Sequence, residues 1–331
     1  MRRNNVVLSV GLAAALVASL SACGAAEGNA PAGSTGGDAK KITFIQGVAG
    51  DNFYISMQCA AEQEARTLGV SLDTQGPQKF DPTLQTPILS SAIAARPDAI
   101  MIAPTDVSAM QQPIDQAIAA GIKVVLVDTT LNDTAKVSSQ ISSNNLGGGA
   151  AAFDAIKQLA PGGGKVLVID NQPGISTSDA RTAGFAEAAK KDAAYTDLGV
   201  QYAQNDVAKA AQLVTAALQK DPDIVGVFAT NLFGAEGAAT GVRQAGKQGA
   251  VKIVGFDAGP DQVKALQEGT IQALIAQQPG TIGTDGVQQA VDAIEGKPTE
   301  AKIQTDFTII TAQNLDSPAS QAAVYKSDCS G

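Results

Sequence analysis

The stretch "VGFDAGPDQ", Val254–Gln262, joins an apolar segment to a helix-like one through a single aspartate. The residues before Asp257 are apolar or glycine, as in a buried strand, and Pro260 suits the first turn of a helix. A carboxylate at such a junction either caps the next helix or meets a ligand at the strand end. The rest of the chain decides between these two roles.

The same strand–turn–helix pattern recurs along the whole chain. Helices are predicted at Phe53–Leu68, Asp106–Ala120, Ser178–Lys190, Val207–Gln219 and Gly234–Ala245. Short β-branched and apolar segments predict strands at 41–47, 70–75, 98–104, 123–128, 137–142, 165–170, 199–204, 224–230, 252–257 and 272–277. Near-continuous apolar strands that alternate with helices predict an α/β fold whose parallel sheets are covered on both faces.

The number of strands exceeds what one compact sheet usually holds. We therefore predict two doubly wound lobes, with the break near 142–144, just before the glycines of "NLGGGA". Those glycines do not prove a hinge, because they would equally allow two helices to pack closely, and we expect that second role.

Composition excludes several classes of function. The formal net charge is −9, and the chain has neither His nor Trp. Without a basic run, nucleic-acid binding is not expected. Without His, conventional serine catalysis and most zinc sites are not expected either, and no metal or cofactor is predicted.

The "PGGGK" at 161–165 resembles a phosphate-binding loop, but it lacks the spacing of that motif and precedes a strand rather than a helix. We predict that the protein is not an enzyme.

The first residues predict export. Arg2 and Arg3 precede an apolar run, 6–20, that is too short for a comfortable membrane span, so 1–22 is a predicted signal peptide. The run ends in "LSAC", which resembles a bacterial lipobox, so we expect a lipid on Cys23 and anchoring to the outer face of the cell membrane. The alternative is an ordinary secretory signal with a chance cysteine. Residues 23–40 are small, polar and Gly-rich, as in a flexible tether.

Two cysteines remain after this segment, Cys59 and Cys329. Met57 and Ala61 share the predicted core face of the first helix, and Cys59 lies roughly 200° round the helix from Met57. A C-terminal tail could reach that outer face, and an exported protein can keep disulfides. We predict a Cys59–Cys329 bond; two free thiols are the alternative.

Polar and aromatic side chains follow the predicted strands, where ligands bind in open parallel sheets. These residues are Asp51, Asn52, Phe53, Tyr54, Pro104, Thr105, Asp106, Asp128, Thr129, Asn231, Phe233, Asp257 and Gln277, and Arg181 enters from the start of a helix. Carboxylates accept hydrogen bonds, guanidinium donates them and amides do both, which suits a small polyhydroxylated ligand. Each residue also has an ordinary structural role available, as a cap, a turn or core, and we favour the helix cap for Asp106. Asp257 could bind a ligand and also help to start the helix after Pro260.

The chain from Lys41 to about Ile310 resembles the type I periplasmic sugar-binding proteins, the ribose-binding-like group that feeds ABC importers. The motifs that carry the resemblance are "DNFYISMQCAAEQEARTLG", "APTD", "GIKVVLVD", "SSNNLGG", "DARTAGF", "VFATN", "KIVGFDAGPD" and "LIAQQPGTIG". The resemblance implies ligand contacts by Asp51, Phe53, Tyr54, Asp128, Arg181, Asn231, Asp257 and Gln277. It also implies two lobes, 41–143 plus 278–306 and 144–277 plus 307–331, joined by hinge crossings near Ser143, Gln278 and Asp306.

The chain departs from the family's ribose binders at three positions. Thr129 stands where they have Arg, Ala103 where they have Asn, and Asn205 where they often have a second stacking aromatic. Phe233 could replace that aromatic wall. Asn52, Thr129, Asn205 and Phe233 are therefore secondary candidates for ligand contact. Pentoses, hexoses and polyols all remain open as ligands.

The resemblance predicts a monomeric receptor that hands a monosaccharide or sugar alcohol to ABC permease subunits. The alternative is a sensor of a sugar or autoinducer that signals to a membrane kinase or chemoreceptor. A repressor of the related fold would need a DNA-binding helix-turn-helix at its N-terminus, where this chain has the lipobox-like segment.

Overall fold

The computed structural model describes residues 39–330. The predicted signal peptide, Cys23 and most of the predicted tether lie outside the described residues. Within 39–330, no helix has both the length and the apolar composition needed to cross a bilayer.

Twelve strands and ten helices make up the described part of the chain. The strands are β1 Lys41–Ile45, β2 Ser71–Gln75, β3 Ala99–Ile102, β4 Lys123–Val127, β5 Ser139–Ser143, β6 Gly164–Asp170, β7 Tyr195–Tyr202, β8 Ile224–Ala229, β9 Lys252–Phe256, β10 Ala273–Ala276, β11 Ile303–Thr305 and β12 Thr308–Thr311. The helices are α1 Asn52–Leu68, α2 Pro82–Ala95, α3 Gln111–Ala119, α4 Asn145–Leu159, α5 Ser176–Ala189, α6 Val207–Lys220, α7 Leu232–Gln244, α8 Pro260–Gln267, α9 Pro279–Glu295 and α10 Pro318–Ala323.

The strands form two six-stranded sheets with the same order. The first runs β2-β1-β3-β4-β5-β11, and the second runs β7-β6-β8-β9-β10-β12. All pairings are parallel except that of β10 with β12, which is antiparallel. The prediction of two doubly wound α/β lobes is confirmed. Because the orders match, the end of β4 in the first lobe corresponds to the end of β9 in the second.

The chain passes between the sheets three times. It leaves the first sheet after Ser143 at the end of β5, and it returns after β10, where α9 packs against α1 and β4. It crosses again between Thr305 of β11 and Thr308 of β12.

Helices α4 and α5 pack closely together at the glycines of α4. A Cβ on Gly149 would lie 1.9 Å from the carbonyl oxygen of Arg181, and a Cβ on Gly148 would lie 2.7 Å from the ring of Phe256. Bare backbone at both positions therefore leaves room for the Phe256 ring and for the first turns of α5, where Arg181 lies. The expected packing role of these glycines is confirmed.

Several predicted elements differ from the structure. The pattern did not predict β11 and β12, which have only three and four residues. Helix α3 begins at Gln111, so the interpretation of Asp106 as its cap is wrong. Asp106 accepts hydrogen bonds from the backbone N–H groups of Ser108 and Ala109, in a turn that precedes the helix.

The Cys59–Cys329 disulfide is present, which confirms the predicted pairing. It fixes the segment after α10, residues 324–330, to α1; we call this segment the tail. The backbone of Tyr325 donates to the carbonyl of Ala258 in the second lobe, whereas that of Lys326 donates to Ser56 Oγ on α1. The tail therefore contacts both lobes.

Candidate ligand-binding site

One cavity lies where the strand ends of both lobes meet. Its lining residues are Val48, Asp51, Phe53, Tyr54, Phe80, Asp128, Asn171, Ile175, Thr177, Ser178, Arg181, Asn205, Asn231, Asp257 and Gln277. The space that the centre of a water molecule can occupy is about 50 Å³, which corresponds to a handful of waters. The cavity therefore suits a small ligand. We call it the cleft.

The first lobe contributes two carboxylates and a tyrosine. Asp51 precedes α1 and caps it by accepting a hydrogen bond of 2.8 Å from the Phe53 N–H. Asp128 follows β4 with φ of 64°, a left-handed conformation that Asp tolerates better than most residues. The Tyr54 hydroxyl donates to Asp128 Oδ2 at 2.7 Å. Tyr54 lies on α1 of the same lobe.

The second lobe repeats this arrangement at Asp257, which follows β9 with φ of 77°. Gln277 Nε2 donates to Asp257 Oδ1 at 2.7 Å, and the hydroxyl of Tyr325 donates to the same oxygen at 3.0 Å. The Gln277 N–H in turn donates to the Tyr325 hydroxyl oxygen. Asp257 does not start α8, whose N-cap is Gly259, so that part of the interpretation is wrong.

Arg181 is the cation of the cleft. Its guanidinium carbon lies 3.7 Å from the centre of the Phe256 ring, which is cation–π geometry. Nε donates to Asn145 Oδ1 and Nη1 donates to the Thr230 carbonyl, both at 2.8 Å. The side chain is 4% exposed. Three contacts fix its orientation, and Nη2 has no hydrogen bond to any described residue, so it remains free for a ligand.

Each cleft carboxylate also keeps one oxygen free of hydrogen bonds to residues 39–330. For Asp51 and Asp257 this is Oδ2, and for Asp128 it is Oδ1. A neutral ligand with several hydroxyl groups can donate to these oxygens and accept from Nη2. An anionic ligand would instead face three carboxylates.

Two carboxylates of the cleft, Asp51 and Asp128, are harder to ionise than free carboxylates. Burial raises the pKa of Asp51 to about 7, with further contributions from the charges of Asp257 and Asp128. Burial also raises the pKa of Asp128 to about 6, although Arg181 and the Tyr54 hydroxyl act in the opposite direction. Burial and Asp128 hold the pKa of Tyr54 well above its usual range, so its hydroxyl stays a donor.

The two lobes also meet at the rim of the cleft. The Val107 N–H donates to the Gly174 carbonyl at 3.0 Å, and the Thr130 N–H donates to Ser176 Oγ at 2.9 Å. Both bonds join the first lobe to the loop and helix that follow β6. The cleft is therefore closed at this rim.

All eight primary candidates line the cleft, and so does Asn205. Three secondary candidates do not. Asn52 donates to the Lys326 carbonyl in the tail, and the Thr129 hydroxyl donates to the buried carbonyl of Pro104. Phe233 lines a neighbouring surface groove instead. Each of these three side chains has a partner or a location outside the cleft.

Sequence reasoning missed six lining residues: Val48, Phe80, Asn171, Ile175, Thr177 and Ser178. Asn171 follows β6 directly, so the strand-end rule could have found it. Phe80 lies in the loop between β2 and α2, and no pattern in "PQKFDP" indicates the cleft. Within 39–330, no group of His, Cys, Asp and Glu is arranged to hold a metal ion.

Known proteins are similar in both sequence and fold. Residues 42–298 match the model of a family described as the periplasmic binding protein domain. The ribose import binding protein RbsB of Escherichia coli (strain K12) is 31% identical over 272 residues, which cover 82% of this chain and 90% of that protein. The D-allose-binding periplasmic protein of the same strain is 32% identical over 249 residues, or 73% of this chain and 80% of that protein. A solute-binding protein of an ABC transporter from Agrobacterium vitis, solved with bound α-D-tagatopyranose, is 38% identical, with a TM-score of 0.85 over 87% of this chain and 99% of that chain.

Proposed function

Because this chain belongs to the periplasmic binding protein family, as a type I sugar-binding protein of ABC transporters, we propose that its cleft captures a neutral monosaccharide or sugar alcohol for an ABC importer. The observation that carries this proposal is the convergence of Asp51, Asp128, Arg181 and Asp257 from both lobes on one small cavity. The relatives named for ribose and allose, and the neighbour bound to tagatose, support a monosaccharide.

The chemistry of the cleft supports tight but reversible capture. Each hydroxyl that donates to a carboxylate contributes about 1.5–3 kcal/mol as a charge-assisted hydrogen bond. A few such bonds, less the entropy of capture, reach about −8 kcal/mol, which is micromolar affinity. Phe53 and Phe80 supply apolar surface for the C–H faces of a sugar ring.

A thermal-shift screen tests the proposal. We expect D-ribose, D-allose, D-tagatose, D-arabinose or a polyol to raise the melting temperature at millimolar concentration. D-Ribose 5-phosphate is the matched control, because the carboxylates of the cleft would repel its phosphate. The proposal fails if no neutral sugar raises the melting temperature, or if the phosphorylated sugar is preferred.

The three passages between the sheets support a hinge near Ser143, Gln278 and Asp306, and we propose that the two lobes open and close about it. Small-angle X-ray scattering with and without sugar would detect this motion as a smaller radius of gyration in the bound state. An unchanged radius for a sugar of proven affinity would contradict a hinged closure.

We also propose that Cys23 carries a lipid that anchors the protein to the outer face of the cell membrane, and that the receptor is a monomer. The support is the "LSAC" motif after a short apolar run. Detergent-phase partitioning of the wild type against Cys23→Ser tests the anchor, with release of the variant into the aqueous phase as the expected result. Light scattering after gel filtration tests the monomer.

A further inference from the structure

The tail brings a tyrosine to the back of the cleft. Tyr325 is 4% exposed and does not itself line the cleft. Its hydroxyl donates to Asp257 Oδ1 and accepts from the Gln277 N–H. Two of the residues that do line the cleft are thus held by one hydroxyl group.

Five interactions hold Tyr325 and the residues after it in place. Its N–H donates to the Ala258 carbonyl, and its ring lies 5.9 Å from the ring of Phe53. The next residue, Lys326, is bonded to Ser56 through its N–H and to Asn52 through its carbonyl. The Cys59–Cys329 disulfide then closes the segment against α1.

The Tyr325 hydroxyl fixes the orientation of the Asp257 carboxylate. Tyr325 and Gln277 both donate to Oδ1 of Asp257, which leaves Oδ2 as the oxygen that a ligand can use. Burial and the charge of Asp257 hold the pKa of Tyr325 well above its usual range, so the hydroxyl remains a donor at physiological pH.

We propose that Tyr325, held by the disulfide-bonded tail, is a positioning residue for sugar binding that acts through Asp257 and Gln277. This inference rests on the proposed function of the cleft. The contribution of Asp257 and Gln277 to sugar affinity then depends on the disulfide that joins the tail to α1 of the first lobe.

The test is calorimetry with D-ribose or D-tagatose, whichever the wild type binds more tightly. Tyr325→Phe keeps the ring and removes the hydroxyl, which leaves the buried Gln277 N–H without its acceptor, and we expect affinity to fall about tenfold. Tyr195→Phe is the matched control. Its hydroxyl donates to the Ala160 carbonyl at 2.7 Å in the second lobe, away from the cleft, so this variant should lose stability and keep its affinity.

A double-mutant cycle separates positioning from a merely structural role. In the Asp257→Asn background, Tyr325→Phe should weaken binding much less than in the wild type, because the hydroxyl acts through that carboxylate. An equal loss in both backgrounds would overturn the proposal, as would an unchanged affinity of Tyr325→Phe.

Reduction of the disulfide supplies a second cycle. Reductant should weaken sugar binding by the wild type about threefold, since the tail keeps its hydrogen bonds, and it should have no further effect on Tyr325→Phe. Equal weakening of both proteins would overturn the link between the disulfide and Tyr325. A wild type that binds none of the tested sugars would overturn the proposed function itself, whereas normal binding by Tyr325→Phe would overturn only this inference.

Discussion

Asp128 and Asp257 occupy the same position in two sheets of the same strand order, yet they are supported differently. Each follows its strand with positive φ, and the N–H of each donates to the next strand, at Ile141 and Ile275 respectively. Each accepts a hydrogen bond from a buried tyrosine hydroxyl. For Asp128 that tyrosine belongs to α1 of its own lobe, whereas for Asp257 it comes from the tail.

The two tyrosines are held in place by different parts of the chain. Tyr54 is fixed by the fold of the first lobe alone, because α1 and β4 belong to that lobe. Tyr325 is fixed by the tail, which contacts both lobes through hydrogen bonds and is joined to α1 by the disulfide. Equivalent carboxylates should therefore respond differently when the tail is disturbed.

Opening the Cys59–Cys329 disulfide should have the largest effect, on the free energy of unfolding. The bond joins residues 270 positions apart, and loss of a native disulfide typically costs about 2–4 kcal/mol of unfolding free energy. We expect reduced protein, and the Cys59→Ser, Cys329→Ser double variant, to melt several degrees lower in calorimetry. Identical melting of protein whose complete reduction is verified by mass would contradict the role assigned to the tail.

Removal of the guanidinium should affect both halves of the cleft together. Arg181→Met keeps the packing on Phe256 but removes the charge-assisted donors, at a cost of about 2–3 kcal/mol, or about a hundredfold in sugar affinity. Arg243→Met, on the exposed end of α7, is the control and should bind as the wild type does. A loss of less than tenfold in calorimetry would argue against direct contact between Arg181 and sugar.

The aspartates themselves allow a direct comparison. Asn tolerates positive φ, so Asp128→Asn and Asp257→Asn should fold, and each should lose about tenfold in sugar affinity. Reductant should then weaken Asp128→Asn further but leave Asp257→Asn unchanged, because the tail acts on Asp257. The same response to reductant in both variants would remove the distinction between the two halves.

The pH dependence of the stability of the ligand-free protein should be the smallest effect, and Asp51 and Asp128 of the first lobe should contribute to it. The folded-state pKa values of Asp51 and Asp128, about 7 and about 6, exceed the ordinary value of 3.8. The folded state therefore binds more protons than the unfolded state between about pH 4 and 7, and stability falls as pH rises through that window.

Asp51 is half-buried, so water screens part of this effect, and we expect about 1 kcal/mol, or 2–4 °C in melting temperature. Asp51→Asn, which can still cap α1, should make stability depend less on pH between about pH 4 and 7. Glu236→Gln is the necessary comparison, because burial also raises the pKa of Glu236 to about 7. If the fall in stability with rising pH disappears only in Glu236→Gln, the pH response belongs to Glu236 on α7 and not to Asp51.

The sequence alone predicted the parts of the molecule that rest on repeated physical patterns. Buried parallel strands are almost continuously apolar, so β3, β4, β8 and β9 were recognisable, and the strand-end rule then identified Asp128 and Asp257. Strand β7 is less apolar, and it begins four residues before the predicted segment 199–204. The short β11 and β12 carry too few residues for a pattern. Their positions depend on pairing with β5 and β10, which lie far away in the sequence.

The residues that lie outside the cleft, and the one that was missed behind it, have a common explanation. Thr129 and Asn52 are polar residues beside correctly predicted ones, but their side chains bond to Pro104 and Lys326, which sequence spacing does not bring near. Tyr325 was missed for the converse reason, since nothing local distinguishes it from a surface tyrosine. Tertiary contacts decide these cases, whereas local patterns decided the strands.

The position of Cys329 also sets an order of events during biogenesis. Every residue that lines the cleft lies between Val48 and Gln277, so the whole cleft is translated before the cysteine that secures its rear wall. Since disulfides persist outside the cytosol, maturation of the receptor would end only after translocation. Pulse-chase labelling with thiol trapping should then reveal a short-lived, exported precursor with about threefold weaker sugar affinity. Its absence would mean that the tail docks without waiting for oxidation.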